Sequence, residues 1–242
     1  MANFYLVEEL ESATAGGSVT VTGSEAKHLA TVARTRVGER LLVGNGRGLV
    51  VAGVARSVAP AAVEIHVEEV RVTDAASPRI LLAQALAKGD RDELAVQAAT
   101  ELGVDAVIPW QAERSVSRWS GPKLEKGRAR WAAIVREAVK QSMRPWAPEV
   151  APLATARDLA ELAASRRLLV LEPTARHPIT SITPDARDVL LVVGPEGGIA
   201  PAELAQFEAA GGEPVRLGDS VLRTSTAGPA AIAVLSAALR RW

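Results

Sequence analysis

Val189-Leu-Leu-Val-Val-Gly-Pro-Glu-Gly-Gly-Ile-Ala-Pro-Ala-Glu-Leu204 begins as an apolar run, turns through glycines and enters a helix at Pro201. A buried strand, a glycine-rich turn and a helix start, in that order, make up the unit from which phosphate-binding loops are built. Glu196 stands in the middle of the turn, where it would repel a phosphate. Neither G-x-G-x-x-G nor G-x-x-x-x-G-K-[ST] is present, so a dinucleotide loop and a P-loop are both excluded. A tight turn that binds nothing is as well supported by this stretch alone as a ligand loop. The fold, however, is already indicated: a short, wholly apolar strand feeding a helix belongs to a largely parallel sheet covered on both faces.

The same rhythm runs through the last two thirds of the chain. Strands are predicted at 80–86 (ILLAQAL), 105–110 (DAVIPW), 167–173 (RLLVLEP), 189–193 and 214–217 (PVRL). Helices are predicted between them, over 91–102, 121–143, 157–164, 201–209 and 226–240. Thr155 with Asp158 three residues on forms a capping box with a shortened acid. Pro201 suits a first helical turn, where its missing N–H costs nothing, and Gly211-Gly212 can end that helix.

The first 70 or so residues read differently. FYLV, SVTV, the pair RLLV and GLVVAGV around Gly44-Asn45-Gly46-Arg47, and AAVEIHVEEV predict a small β-rich unit with a hairpin at the glycine turn. Val63, Ile65 and Val67 alternate with Glu64, His66 and Glu68, as in a strand with one face in a core and one in water. The polar stretch Thr73 to Pro78 separates the two regimes.

Composition narrows the chemistry. The absence of cysteine removes disulfides, zinc ribbons, iron–sulfur clusters and thiol nucleophiles. His28, His66 and His177 lack the spacing that would put two imidazoles on one helical face, so no metal site is expected. No apolar run is long enough to span a bilayer, and the acidic start MANFYLVEEL is unlike a secretory signal; the expectation is a cytoplasmic protein without membrane contact. The 28 basic and 28 acidic residues cancel, but Glu113 to Arg144 carries nine cations against three acids, a local surplus of six. Trp119, Trp131 and Trp146, in or just after this segment, are of a type that can stack on bases. Trp131, at helical spacing with Ile134, Val135 and Ala138, reads as core, and Lys123, Lys126, Arg128 and Arg130 read as a solvated helix face.

A second glycine turn follows the first by about twenty residues: Val215-Arg-Leu-Gly-Asp-Ser-Val-Leu-Arg-Thr-Ser-Thr-Ala227, an apolar strand, a turn, and a helix opened by hydroxyls. Two adjacent turns of this kind can line one pocket with backbone N–H and C=O groups, which suits an adenosine-containing ligand.

With these motifs in order, the chain resembles the RsmE-type rRNA uridine-N3 methyltransferases of the SPOUT class. The resemblance rests on KHLATVARTRVGERLLVGNGRG near the start, on AKGDRDELAVQAATELGVDAVIPWQAERSV and EAVKQSMRPWAPEV in the middle, and on LLVVGPEGG and LGDSVLRTSTA at the end. It implies a PUA-like RNA-binding β-barrel over 1–73 and a trefoil-knotted α/β methyltransferase domain over 74–242. It also implies S-adenosylmethionine as cofactor, 16S rRNA within the assembled small ribosomal subunit as substrate, and a homodimer. Cofactor contacts carry over to Leu171, Glu172, Gly194, Pro195, Glu196, Gly197, Leu217, Gly218, Leu222, Arg223, Thr226 and Ala227. RNA contacts carry over to Arg34, Lys88, Arg91, Arg114, Gln141 and Arg144.

Such a cofactor has a positive sulfonium and no phosphate, so an acid at Glu196 is acceptable. For catalysis, Arg223 is the candidate to stabilise charge developing on the uracil oxygens, against a plain loop-capping role. Glu196 is one candidate base, alongside water and substrate-assisted deprotonation. Gly197 is expected to let the backbone approach the cofactor. The chain departs from the family pattern at Ala33, Ala200 and Ser225, where leucine, a serine or threonine cap, and glutamate are usual. A ribose 2′-O methyltransferase of the same class and a non-catalytic RNA-binding assembly factor are the rival readings.

Overall fold

The computed structural model describes residues 3–242, which gather into two compact units. One contains the residues up to 75 together with 139–147; the other contains 76–138 and 148–242. No helix among the described residues is long and apolar enough to cross a membrane.

The first unit is a five-stranded sheet of β1 (Asn3–Leu6), β2 (Ser18–Thr22), β3 (Arg40–Gly44), β4 (Leu49–Val58) and β5 (Ala62–Val72). Their order is β1-β3-β4-β5-β2, with β1 parallel to β3 and the other pairs antiparallel. The alternation in β5 buries Val63, Ile65 and Val67 against Val19, Val21, Leu41, Val43 and Val51. A short helix, α1 (Gly23–Lys27), runs into a wide helical turn at His28–Val32 and adds Ala26 and Leu29 to that core. At the hairpin predicted around Gly44–Arg47, Asn45 Oδ1 accepts the amides of Arg47 at 2.7 Å and Leu49 at 3.1 Å, so one side chain closes the turn. The β4–β5 ladder slips at Ala52/Gly53, where any Cβ on Gly53 would run into the His66 carbonyl oxygen.

Residues 139–147 join this unit without any sequence signal. The Gly48 amide donates to the Pro145 carbonyl at 2.9 Å and the Trp146 indole to the Thr73 carbonyl at 2.8 Å. Lys140, buried despite its charge, lies 3.5 Å from the Glu25 carboxylate.

The second unit is a seven-stranded, wholly parallel sheet in the order β10-β12-β9-β11-β6-β7-β8. Its strands are β6 (Ile80–Ala85), β7 (Ala106–Trp110), β8 (Glu149–Val150), β9 (Arg167–Leu171), β10 (His177–Pro178), β11 (Val189–Val193) and β12 (Glu213–Arg216). Its helices are α2 (Arg91–Glu101), α3 (Pro122–Ser142), α4 (Ala156–Leu162), α5 (Pro201–Ala209) and α6 (Thr224–Ala238). The end of α3 belongs to the first unit. The predicted strands and helices match these closely, but β8 and β10, two residues each, are too short to leave a periodic trace.

Leu81, Leu168, Leu190 and Val192 face α4 and α5, packing on Leu159, Ile199 and Phe207. The opposite face carries α6, brought close by Gly228, whose absent Cβ would stand 3.1 Å from Leu82. The cap of α4 forms as predicted: Thr155 Oγ1 accepts the Asp158 amide at 3.3 Å while Asp158 accepts the Thr155 amide at 2.8 Å. At α5, where Ala200 offers no cap side chain, Glu203 takes the Ala200 amide at 3.1 Å and the Glu113 amide at 2.8 Å. The helix start is therefore held from its third residue.

Candidate functional site

Parallel strands deliver their carboxyl ends to one edge, and there the loops after β9, β11 and β12 converge. Between them lies a cavity of about 390 Å³. Leu171, Val193, Ile199, Leu217 and Leu222 give it apolar walls; Glu172 and Glu196 bring carboxylates, and Arg91, Arg216 and Arg223 bring guanidinium groups. The volume lies within the range usual for small-ligand pockets.

Every residue expected to touch a cofactor lines this cavity except Gly197 and Thr226. A Cβ on Gly197 would meet the Arg114 side chain at 3.2 Å, so the open side of this glycine faces Arg114. Gly194 is needed for another reason: a Cβ there would sit 2.8 Å from Ile199, where the turn folds back on itself. At Gly218 the space is open, and at Gly198 a φ of +72° sets the turn.

A buried polar chain joins the two glycine loops. Gln84, fully buried in β6, donates to Thr224 Oγ1 at 2.9 Å, and Thr224 Oγ1 donates to the Gly194 carbonyl at 2.8 Å. Next to it the Trp110 indole donates to the Val193 carbonyl at 3.0 Å. None of these links was anticipated for the site, although one amide inside the apolar run ILLAQAL is a signal that could have been read.

Glu196 Oε1 accepts the Lys88 amide at 3.0 Å and the Arg91 guanidinium at 2.9 Å. Partial burial opposes its charge, but its own amide, the Lys88 amide and Arg91 outweigh that cost and hold the carboxyl below the usual value. A depressed carboxylate is a weaker proton acceptor.

Of the expected RNA contacts, Lys88, Arg91 and Arg114 gather around the 194–198 turn, Arg114 by donating to the Gly197 carbonyl at 3.1 Å. Arg34, exposed with a left-handed φ of 54°, belongs to the first unit, as do Gln141 and Arg144. The helix face read as solvated is so at Lys123, Lys126 and Arg130, while Arg128 is half-buried. Arg128 donates twice to the Val150 carbonyl, at 3.2 and 3.1 Å, and Arg130 forms a fork with Glu93 at 2.9 to 3.2 Å. Sequence spacing identifies the helix face but not the neighbour that a long side chain reaches. Trp131 is buried, as its spacing predicted.

Residues 75–236 match a family model described as an RNA methyltransferase domain, and residues 21–54 match an RNA methyltransferase PUA domain. A Mycobacterium bovis protein named ribosomal RNA small subunit methyltransferase E is 41% identical over 233 residues, spanning 94% of this chain and 89% of its own. A Bacillus subtilis protein of the same name is 32% identical over 227 residues, 90% of this chain and 89% of that one. The crystal structure of ribosomal RNA small subunit methyltransferase E from Neisseria gonorrhoeae, bound to S-adenosyl methionine, aligns with a TM-score of 0.88 at 29% identity over 98% of both chains.

Proposed function

The chain belongs to the ribosomal RNA small subunit methyltransferase E family, and from that premise we propose that it methylates N3 of a specific uridine in 16S rRNA, using S-adenosylmethionine. The observation that carries the reading is the cavity between the two glycine loops, apolar in its walls and flanked by both carboxylates and guanidinium groups. That donor set fits the cofactor. Leu171, Ile199 and Leu222 suit an adenine ring, Glu172 and Glu196 tolerate a cation, and the arginines suit a carboxylate.

When bound, S-adenosylmethionine supplies an electrophilic methyl group on a sulfonium. The chain's own residues do the rest. Arg223, exposed on the cavity wall at the head of α6, offers a planar set of donors to the uracil oxygens as N3 gives up its proton. Glu196, engaged by Lys88 and Arg91, keeps the 194–198 turn in place. Because N3 is on the pairing edge, the target base must be unpaired or flipped out.

In this reading residues 1–73 form the RNA-gripping barrel and residues 74–242 a knotted transfer domain. The substrate is the assembled small subunit, and the enzyme acts as a homodimer. Val221, 75% exposed beside the cavity, and Trp242, 66% exposed, support a partner surface.

The test is methyl transfer to small ribosomal subunits and to naked 16S rRNA, followed by nucleoside analysis. N3-methyluridine made on subunits is the expected product; a methyl on ribose oxygen would sink the proposal in favour of 2′-O chemistry. Calorimetry separates a non-catalytic assembly factor, which would leave S-adenosylmethionine unbound. Arg223→Ala should lower kcat by about a hundredfold, in the range of a lost charge-stabilising donor, with a smaller change in cofactor KM. An effect on KM alone would make Arg223 a binding residue.

A further inference from the structure

A second cavity, of about 370 Å³, lies in the same unit between residues 87–93, the segment Val116–Trp119 and the early turns of α3. It has an aromatic wall held in place. Trp119 stands edge-on to Trp131 at 5.4 Å, and its amide donates to Gln111 Oε1 at 3.1 Å. Gly127 of α3 leaves room for the indole, since a Cβ there would run into the ring. Val116 on the rim is 70% exposed.

The polar lining has both signs. Asp92, 6% exposed, accepts the Ala87 amide at 3.2 Å and the Glu93 amide at 2.9 Å. A carboxylate has lone pairs beyond those two bonds. Lys88 is exposed on the lining, and Arg130 is held there by Glu93. The two cavities share a wall: Arg91 lines the first, Lys88 and Asp92 line the second, and the Lys88 amide is bonded to Glu196 of the first. The segment 88–92 therefore borders both cavities.

We propose that this second cavity receives the base of an unpaired nucleotide adjacent to the target uridine. The inference rests on the methyltransferase reading and deepens it. An indole face accepts any base by stacking, the Asp92 carboxylate accepts from a base N–H edge, and Lys88 meets the connecting phosphate. Extracting a uridine from its stack costs free energy, and holding its neighbour against Trp119 offsets part of that cost.

The experiment measures steady-state methylation of small subunits by the wild type, Val116→Glu, Trp119→Leu and Trp119→Phe, with cofactor affinity from calorimetry. Val116→Glu and Trp119→Leu should raise the subunit KM about tenfold, in the range for loss of one base–aromatic stack, with cofactor affinity unchanged. Trp119→Phe, which keeps an aromatic face, should recover most of that loss. Because Val116 is exposed, its variant tests the site without touching the core. An unaltered KM in Val116→Glu overturns the proposal. So does a raised KM in Val116→Glu with both Trp119 variants like wild type, which would point to a protein partner at the rim. If the wild type binds cofactor but methylates no subunit, the parent reading falls and this one with it; normal turnover with unaltered variants overturns this one alone.

Discussion

Glu196 and Gly197 are neighbours with opposite duties. The carboxylate of Glu196 is tied to the Lys88 amide and to Arg91, so Glu196→Gln should weaken cofactor binding while lowering kcat by less than tenfold. Removing a general base would cost about a hundredfold or more, and a kcat loss of that size would restore Glu196 as the proton acceptor. The pH dependence has a definite sign. With its carboxyl held below the usual value, the tie is intact above the ordinary carboxylate pKa and is lost as pH falls through the depressed one. Cofactor affinity should fall on that acidic limb in the wild type and lose the limb in Glu196→Gln. For Gly197, the sequence suggested close approach to a cofactor, but the missing Cβ faces Arg114. Gly197→Val should therefore displace Arg114 and raise the subunit KM more than the cofactor Kd, as paired kinetics and calorimetry would show. Spacing shows that a turn needs glycine; it does not show which way the turn faces.

At the level of elements, the cavity between the glycine loops depends on three parallel strands ending together and on one buried link between those loops. The strands, the glycine turns and the helix starts were legible because apolar runs, glycines and Pro201 act locally. The link was not, because Gln84 and Thr224 are 140 residues apart. Thr224→Val should leave the Gln84 amide with only the Ala85 carbonyl and the Gly194 carbonyl without its hydroxyl donor, at a cost of about 1 kcal/mol of stability. Gln84→Leu removes the amide entirely and should weaken cofactor binding about fivefold, the worth of one hydrogen bond, with kcat at saturating cofactor unchanged. The double variant should lose less than the sum of the two, since both act on one chain of bonds. Denaturant unfolding and calorimetry would check this, and strict additivity would count against the link.

For the whole molecule, charge is where composition misleads. The stretch 113–144 has a surplus of six cations, which, if all met single-stranded RNA phosphates, would give a salt slope near roughly −4. Arg130 and Lys140 are paired with Glu93 and Glu25, acids outside the stretch, so the expected slope in binding titrations is shallower than that. A slope of roughly −4 would mean that Arg130 and Lys140 exchange those acids for RNA phosphates. The two-part organisation followed from a change of rhythm near Pro78, yet the return of 139–147 to the first unit did not, because hydrogen bonds such as Gly48 to Pro145 join positions with no shared pattern. By itself the sequence determined the strands, the helices, the two glycine loops and the family resemblance, all of which are written in residue type and short spacing. Only the tertiary structure decided that Gly197 faces Arg114, that Glu196 holds Arg91, that Thr224, backed by Gln84, joins the loops and that Trp119 walls a second cavity. Those depend on side-chain direction and on contacts between distant segments, which are settled when the sheet packs.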